Sequence, residues 1–162
     1  MNPLIVAQLL ILVILANGAP VIAKKLLGGR FAQPLDGDAR FFDGRPLFGR
    51  SKTLRGILVA LIAAAAGAPI IGIDWHVGLV VGATAMAGDL VSSFVKRRMG
   101  REPSSRVVGL DQIPEALFPM LAGAGIYGLS VADVVAGVAL FFVGEVVLSR
   151  VLYRLRLRDR PY

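Results

Sequence analysis

Apolar residues in this chain fall in long runs rather than in the spaced pattern of a half-buried helix or strand. Leu4 to Ala23, Ile57 to Ile73 and Val77 to Val95 are broken only by a few polar residues and glycines, and Pro114 to Leu148 stays apolar for longer still. A hydrocarbon core about 30 Å thick is crossed by roughly 20 helical residues at about 1.5 Å rise each. The first three runs therefore predict one spanning helix apiece. The fourth is too long for one crossing and predicts a tight hairpin of two, its first member shortened by Pro119 and the glycines between 123 and 128. Composition agrees, with 56% hydrophobic residues and a mean hydropathy of +0.70, far above a soluble domain of this length. The expectation is an all-α integral membrane protein, one domain over 1–162, with about five transmembrane helices and two sizeable loops.

Charge orders these spans. The segment from Lys24 to Arg55 holds eight basic residues, Lys96 to Arg106 five, and Arg150 to Arg160 five, which together are all 18 in the chain. Lysine and arginine beside spans are retained on the cytoplasmic side. Both large loops and the carboxyl terminus are thus expected inside and the amino terminus outside, in a multi-pass protein of the cell membrane. The turn at Asp74 and His76 then faces outward. Lys24 and Lys25 follow the first run instead of preceding it, the reverse of a cleaved signal peptide. The net charge of +7 lies beside the spans, where anionic lipid and phosphate explain it without nucleic acid. The absence of cysteine excludes disulfides and thiolate chemistry, and the single histidine, expected outside, leaves little room for a histidine base. No internal repeat or low-complexity tract interrupts this organisation.

Polar chemistry concentrates in the two inside loops. The first, "KKLLGGRFAQPLDGDARFFDGRPLFGRSKTLRG", is punctuated by glycine and proline too often for a long helix. Asp36, Asp38 and Asp43 are candidate metal or hydroxyl ligands; Arg45, Arg50, Lys52 and Arg55 are candidate phosphate ligands, with glycines that let backbone N–H groups approach phosphate oxygens. A plain positive-inside loop is the alternative. Two near matches fail. From Gly44 to Thr53 the spacing is G-x-x-x-x-G-x-x-K-T, two residues too long before the lysine for a Walker A loop, and "DGDAR" lacks one residue of the CDP-alcohol phosphatidyltransferase opening.

The third span holds "AMAGDLVSSFVKRRMG". Asp89, Ser92, Ser93 and Lys96 stand at i, i+3, i+4 and i+7, on one helix face, with Arg97 and Arg98 extending a positive rim. A carboxylate about 10 Å below the rim is costly in a membrane and points to function; a polar seam between helices with Lys96 snorkelling is the alternative reading. Asn17 precedes Lys24 by the same seven residues, so its depth matches that of Asp89 and it either reaches the same pocket or bonds between helices. Asp111 and Gln112 open the fourth span, where Asp111 is expected to meet Asp89. Two carboxylates rimmed by basic side chains suit Mg²⁺ bound to a polyphosphate. Glu115 joins them or serves the helix dipole, Asp133 reads as the cap of the last helix, and Glu145 is expected to pair with Arg150 or Ser149.

Together, "ANGAPV", "PLDGDARFFDGRPLFGRSKTLRG", "GDLVSSFVKRRMG" and "LDQ" resemble the CDP-archaeol synthase family, membrane CTP-dependent cytidylyltransferases related to the phosphatidate cytidylyltransferases. The resemblance spans nearly the whole chain. Its most specific parts are D-G-R-x-x-F-G-x-x-K-T-x-R-G from Asp43 to Gly56 and G-D-x-x-x-S-F-x-K-R-R-x-G from Gly88 to Gly100. It implies a five-span helical enzyme that uses Mg²⁺ to join CTP to an archaeal lipid phosphate with release of pyrophosphate. By position it singles out Asn17, Pro34, Asp36, Asp43, Gly44, Arg45, Phe48, Gly49, Lys52, Thr53, Arg55 and Gly56. To these it adds Asp89, Ser93, Lys96, Arg97, Arg98, Asp111 and Gln112, with Asp89 and Asp111 as metal ligands. Relatives often continue as L-D-Q-L-D, whereas this chain reads "LDQIPE", with Pro114 in place of the second aspartate. A small transporter or a non-catalytic scaffold for anionic lipids is the competing reading.

Overall fold

The computed structural model describes residues 2–105 and 107–154; Arg106 and the basic residues after 154 lie outside them. Among the described residues the regular elements are five helices: α1 (Pro3–Leu27), α2 (Leu54–Ile70), α3 (Trp75–Arg98), α4 (Gln112–Tyr127) and α5 (Val131–Arg154). The expected apolar hairpin of 114–148 is thus α4 and α5. Helices α1, α3 and α5 are long and apolar enough to cross a membrane, and α2 is a shorter apolar helix. α4, with 16 residues, reaches about 24 Å. The chain is a multi-pass membrane protein.

Helix ends follow local chemistry. Thr53 caps α2 by accepting the Gly56 N–H on its hydroxyl at 3.1 Å, and Asp74 caps α3 through the His76 N–H at 2.8 Å. The start of α5 differs from the expectation for Asp133. Its carboxylate accepts from the Ser130 N–H at 3.1 Å and hydroxyl at 2.6 Å, while the Ser130 hydroxyl accepts from the Asp133 N–H at 3.2 Å. Ser130 is the cap and Asp133 its reciprocal partner three residues on. The second Asp133 oxygen takes the Asn2 N–H at 2.8 Å and ties α5 to the start of α1.

α1 packs against every other helix. Its Leu9, Leu12 and Val13 are fully buried with Val81 of α3 and Met120 of α4. The α2–α3 contact is built from small residues: a Cβ at Gly78 would stand 2.4 Å from the Ala64 carbonyl oxygen, and one at Gly82 3.0 Å from the Ala64 Cβ. Close backbone approach of this kind is how helices associate where burial of apolar area supplies no drive. Outward faces remain apolar, as lipid contact requires. Both long connections, 28–53 and 99–111, emerge at the same end of the bundle, because the two helices α2 and α3 run between them, and the short 71–74 and 128–130 turns lie one helix away at the other end.

Candidate active site

The α3 stripe forms the floor of the site. Lys52, from the first loop, donates to both Asp89 carboxylate oxygens at 2.7 and 2.5 Å. Lys96, two turns further along α3, reaches Asp111 at 2.5 Å and donates to the Ser105 carbonyl at 2.9 Å. Each carboxylate is thus neutralised by one lysine. The side chains of both pairs are 22% exposed or less, and removing one member would leave its partner's charge poorly solvated.

Arg97 follows Lys96 and is 3% exposed. Its Nη2 donates to the Glu102 carbonyl at 2.7 Å, while its Nε and Nη1 have no hydrogen-bond partner among the described residues. Gly49, at φ +88°, makes the approach possible: a Cβ there would meet Pro103 at 3.1 Å and the Arg97 Nη1 at 3.5 Å. A buried guanidinium with unused donors is a strong anion site, since those N–H groups gain most from an oxygen-rich ligand.

The first loop is held in place by the charged residues that surround this floor. Asp36 accepts the N–H groups of Phe48 and Gly49 at 2.9 and 3.0 Å and that of Asp38 at 3.2 Å. Partial burial works against the Asp36 charge, but the backbone donors outweigh it and hold the carboxyl below the usual carboxylate range. Arg98 donates to Asp43 at 2.6 Å and to the Pro46 carbonyl at 2.5 Å, with its guanidinium 4.8 and 4.9 Å from the Phe41 and Phe94 ring centres. Arg45 in turn caps the carboxyl end of α3 through the Arg97 and Arg98 carbonyls. Arg55 binds the Gly28 carbonyl at 3.0 Å and that of Arg30. Asp38 pairs with Arg50 on the exposed surface.

A cavity of about 900 Å³ opens beside the α3 floor. Among the residues expected at the site, it gathers Asn17, Lys52, Thr53, Arg55, Gly56, Asp89, Ser93, Lys96, Arg97, Asp111 and Gln112. Asp36, Asp43, Gly44, Arg45, Phe48, Gly49, Arg98 and Ser92 do not line it. Ser92 sits on the flank of the stripe facing the second loop, where it donates to the Gly88 and Leu110 carbonyls at 2.9 and 2.7 Å. Asn17 donates to Glu115 at 3.0 Å, so its inter-helix bond and its place in the pocket are both real. Gln112 accepts the Gly109 N–H at 2.7 Å, and Asp111 that of Val107 at 3.0 Å.

Glu115 and Glu145 complete the polar lining. Glu145 forms no ion pair with Arg150 among the described residues; it turns instead toward the cavity that holds Glu115. A lone glutamate in an apolar run gave no signal beyond its cost, and α5 supplied no motif to extend. Pro114 has a structural counterpart: a Cβ at Gly88 would stand 2.1 Å from its carbonyl oxygen, so α3 and α4 touch backbone to backbone directly beside Asp89 and Glu115.

Five apolar helices around lysine-neutralised carboxylates and a buried, donor-rich arginine define an intramembrane enzyme for phosphorylated substrates. The profile of the CarS-like CDP-archaeol synthase family matches residues 1–162. The CDP-archaeol synthase of Sulfurisphaera tokodaii is 33% identical over 155 residues, covering 92% of this chain and 90% of that protein. That of Methanopyrus kandleri is 34% identical over 145 residues, covering 85% and 83%. A solved structure of an intramembrane enzyme for archaeal membrane lipid biosynthesis matches with a TM-score of 0.76 at 28% identity, over 87% of this chain and 90% of that one. The chain belongs to the CDP-archaeol synthase family.

Proposed function

We propose that the cavity transfers CMP from CTP to the phosphate of an archaeol-type lipid, forming a CDP-lipid and releasing pyrophosphate. The observation that carries this reading is the Arg97 guanidinium, buried beside the Lys52–Asp89 and Lys96–Asp111 pairs with two nitrogens that have no hydrogen-bond partner among the described residues. A phosphate monoester has a second pKa near 6, so the lipid phosphate is largely a dianion at neutral pH and needs no strong base. One of its oxygens bonds to the α-phosphorus of CTP while the bond from that phosphorus to the bridging oxygen breaks, and the electron pair leaves with pyrophosphate. The obstacle is bringing two anions together. Arg97, together with Lys52 and Lys96 once their carboxylates turn to a cation, would supply the positive charge that accepts the triphosphate and the departing pyrophosphate. Nothing singles out a transporter or a non-catalytic scaffold, and the family is enzymatic.

The donor set suits Mg²⁺. Asp89 and Asp111 offer hard carboxylate oxygens in one cavity, and no cluster of three candidate ligands occurs among the described residues. Mg²⁺ ordinarily takes one or two carboxylates and fills its octahedron with phosphate oxygens and water. Held by Asp89 and Asp111, it would neutralise the charge that builds on the triphosphate.

The test is to incubate purified protein with labelled CTP and a panel of ether-linked and ester-linked lipid phosphates. Label is expected in the lipid fraction with CTP, at a small fraction of that rate with ATP, and not at all after chelation of divalent cations. Equal use of ATP and CTP would overturn the nucleotide assignment; undiminished turnover in chelator would overturn the metal. For orientation, the lysines and arginines of both long connections support a topology with those connections in the cytoplasm and the amino terminus outside. The chain has no cysteine, so Ser104→Cys introduces a unique thiol. It should react with a membrane-impermeant maleimide in inverted vesicles and stay unlabelled in intact cells; the opposite pattern would reverse the topology.

A further inference from the structure

The transfer reaction uses the cavity wall made by α3, α4 and the loops. It leaves unexplained the opposite wall, where α1 and α5 face each other. Ile14, Gly18 and Val21 line the cavity at i, i+4 and i+7 on α1, and Phe141, Glu145 and Leu148 repeat that spacing on α5. Each helix therefore contributes one continuous face. The wall is not sealed. Ile14, Val21 and Leu148 line the cavity and are yet 58%, 56% and 54% exposed, so the space between them opens sideways toward the bilayer. From Ile14 to Lys24, another lining residue, the α1 face runs about 15 Å, from deep in the span to its basic end.

Gly18 lies midway along this face. Most interior glycines of the bundle are packing contacts: a Cβ at Gly67, Gly88, Gly123 or Gly137 would meet a neighbour at 2.5 Å or less. A Cβ at Gly18 meets nothing within 4 Å. Glycine weakens a helix relative to alanine, and here no contact inside the protein calls for it. The space it leaves belongs to the cavity.

We infer that the α1–α5 cleft is the lateral portal for the lipid phosphate, with Gly18 a specificity-determining position that leaves room for the hydrocarbon next to the headgroup. This rests on the cytidylyl-transfer reading. The occupant follows from continuity: one cavity joins an anion-binding wall to an apolar face open to the membrane, and only a substrate with a phosphate at one end and hydrocarbon at the other uses both. CTP has no part that fits the apolar face. The chains lie along Ile14 and Phe141, and the phosphate stays at the loop end, where Lys52, Lys96 and Arg97 line the cavity.

Gly18→Leu tests the portal. Leucine is a better helix former and its Cβ meets nothing within 4 Å, so the bundle should be retained. With long-chain lipid phosphate the variant should show a KM raised by about tenfold or more, the scale on which a misfitted apolar pocket discriminates. Its affinity for Mg²⁺·CTP, measured without lipid, should stay within about twofold of wild type, and a short-chain lipid phosphate should be used at near wild-type kcat/KM by the same reasoning. Leu148→Trp, which fills the cleft from the other helix, should reproduce the pattern and decides the matter if Gly18→Leu fails to fold. Unchanged long-chain kinetics in both variants, or an equal loss with short chains, would overturn the portal. A wild-type protein that labels no lipid with CTP would instead refute the transfer reading itself.

Discussion

Asp89→Asn is expected to lower CTP-dependent lipid labelling by about 10²–10³-fold or more, the range seen when one charge-stabilising group is removed from a preorganised site. The substitution keeps the shape of the side chain and removes its charge. It also strands Lys52, whose ammonium now bonds both Asp89 oxygens in a largely buried position. A loss of stability is therefore expected together with the loss of rate. The two effects separate in Asp89→Asn combined with Lys52→Met: thermal stability should return toward wild type while activity should not. Rates near wild type in the single variant would remove Asp89 from the chemistry, and recovery of both properties in the double variant would make the pair purely structural.

The second large effect is expected at a residue with no functional group. Gly88→Ala places a methyl where the Pro114 carbonyl oxygen would be 2.1 Å and its carbon 2.5 Å away, so α3 and α4 must part. Overpacking of this kind typically costs about 1–3 kcal/mol. The displacement falls next to Asp89, and misplacing a reacting group by about 1 Å can cost roughly 10²-fold in rate. Thermal unfolding and labelling rates of the purified variant measure both. In an open helix the same change would stabilise, so a raised melting temperature would show that the helices are not in contact there.

Much of this arrangement is legible in the sequence, for identifiable reasons. The spans follow from hydropathy, since the bilayer imposes that constraint residue by residue. The Asp89, Ser93 and Lys96 face follows from helical period alone. What period cannot give is which partner a side chain chooses across the fold. Lys52 on Asp89 and Lys96 on Asp111 join segments 37 and 15 positions apart, and their register depends on how the loops close. The arginines show this most clearly. Arg45, Arg97 and Arg98 are alike in sequence terms, yet only Arg97 lines the cavity, because the other two are turned toward the carboxyl end of α3 and the Phe41–Phe94 rings. Glu115 carried two readings in the first turn of its helix, and only the approach of α1 through Asn17 decides that it faces the pocket.

The fastening of the first loop has a consequence for traffic through the enzyme. Between 28 and 53 the chain has no regular element beyond two isolated bridges, Pro34 with Thr53 and Arg40 with Pro46. Even so, Asp36 knots it to itself, Arg98 of α3 holds it through Asp43, the Pro46 carbonyl and the Phe41 ring, and Arg45 ties it to the end of α3. A segment fastened at these points is masonry and not a door. On the transfer reading proposed above, water-soluble and membrane-soluble reactants then use separate doorways, the nucleotide and pyrophosphate an aqueous mouth and the lipid the cleft between α1 and α5.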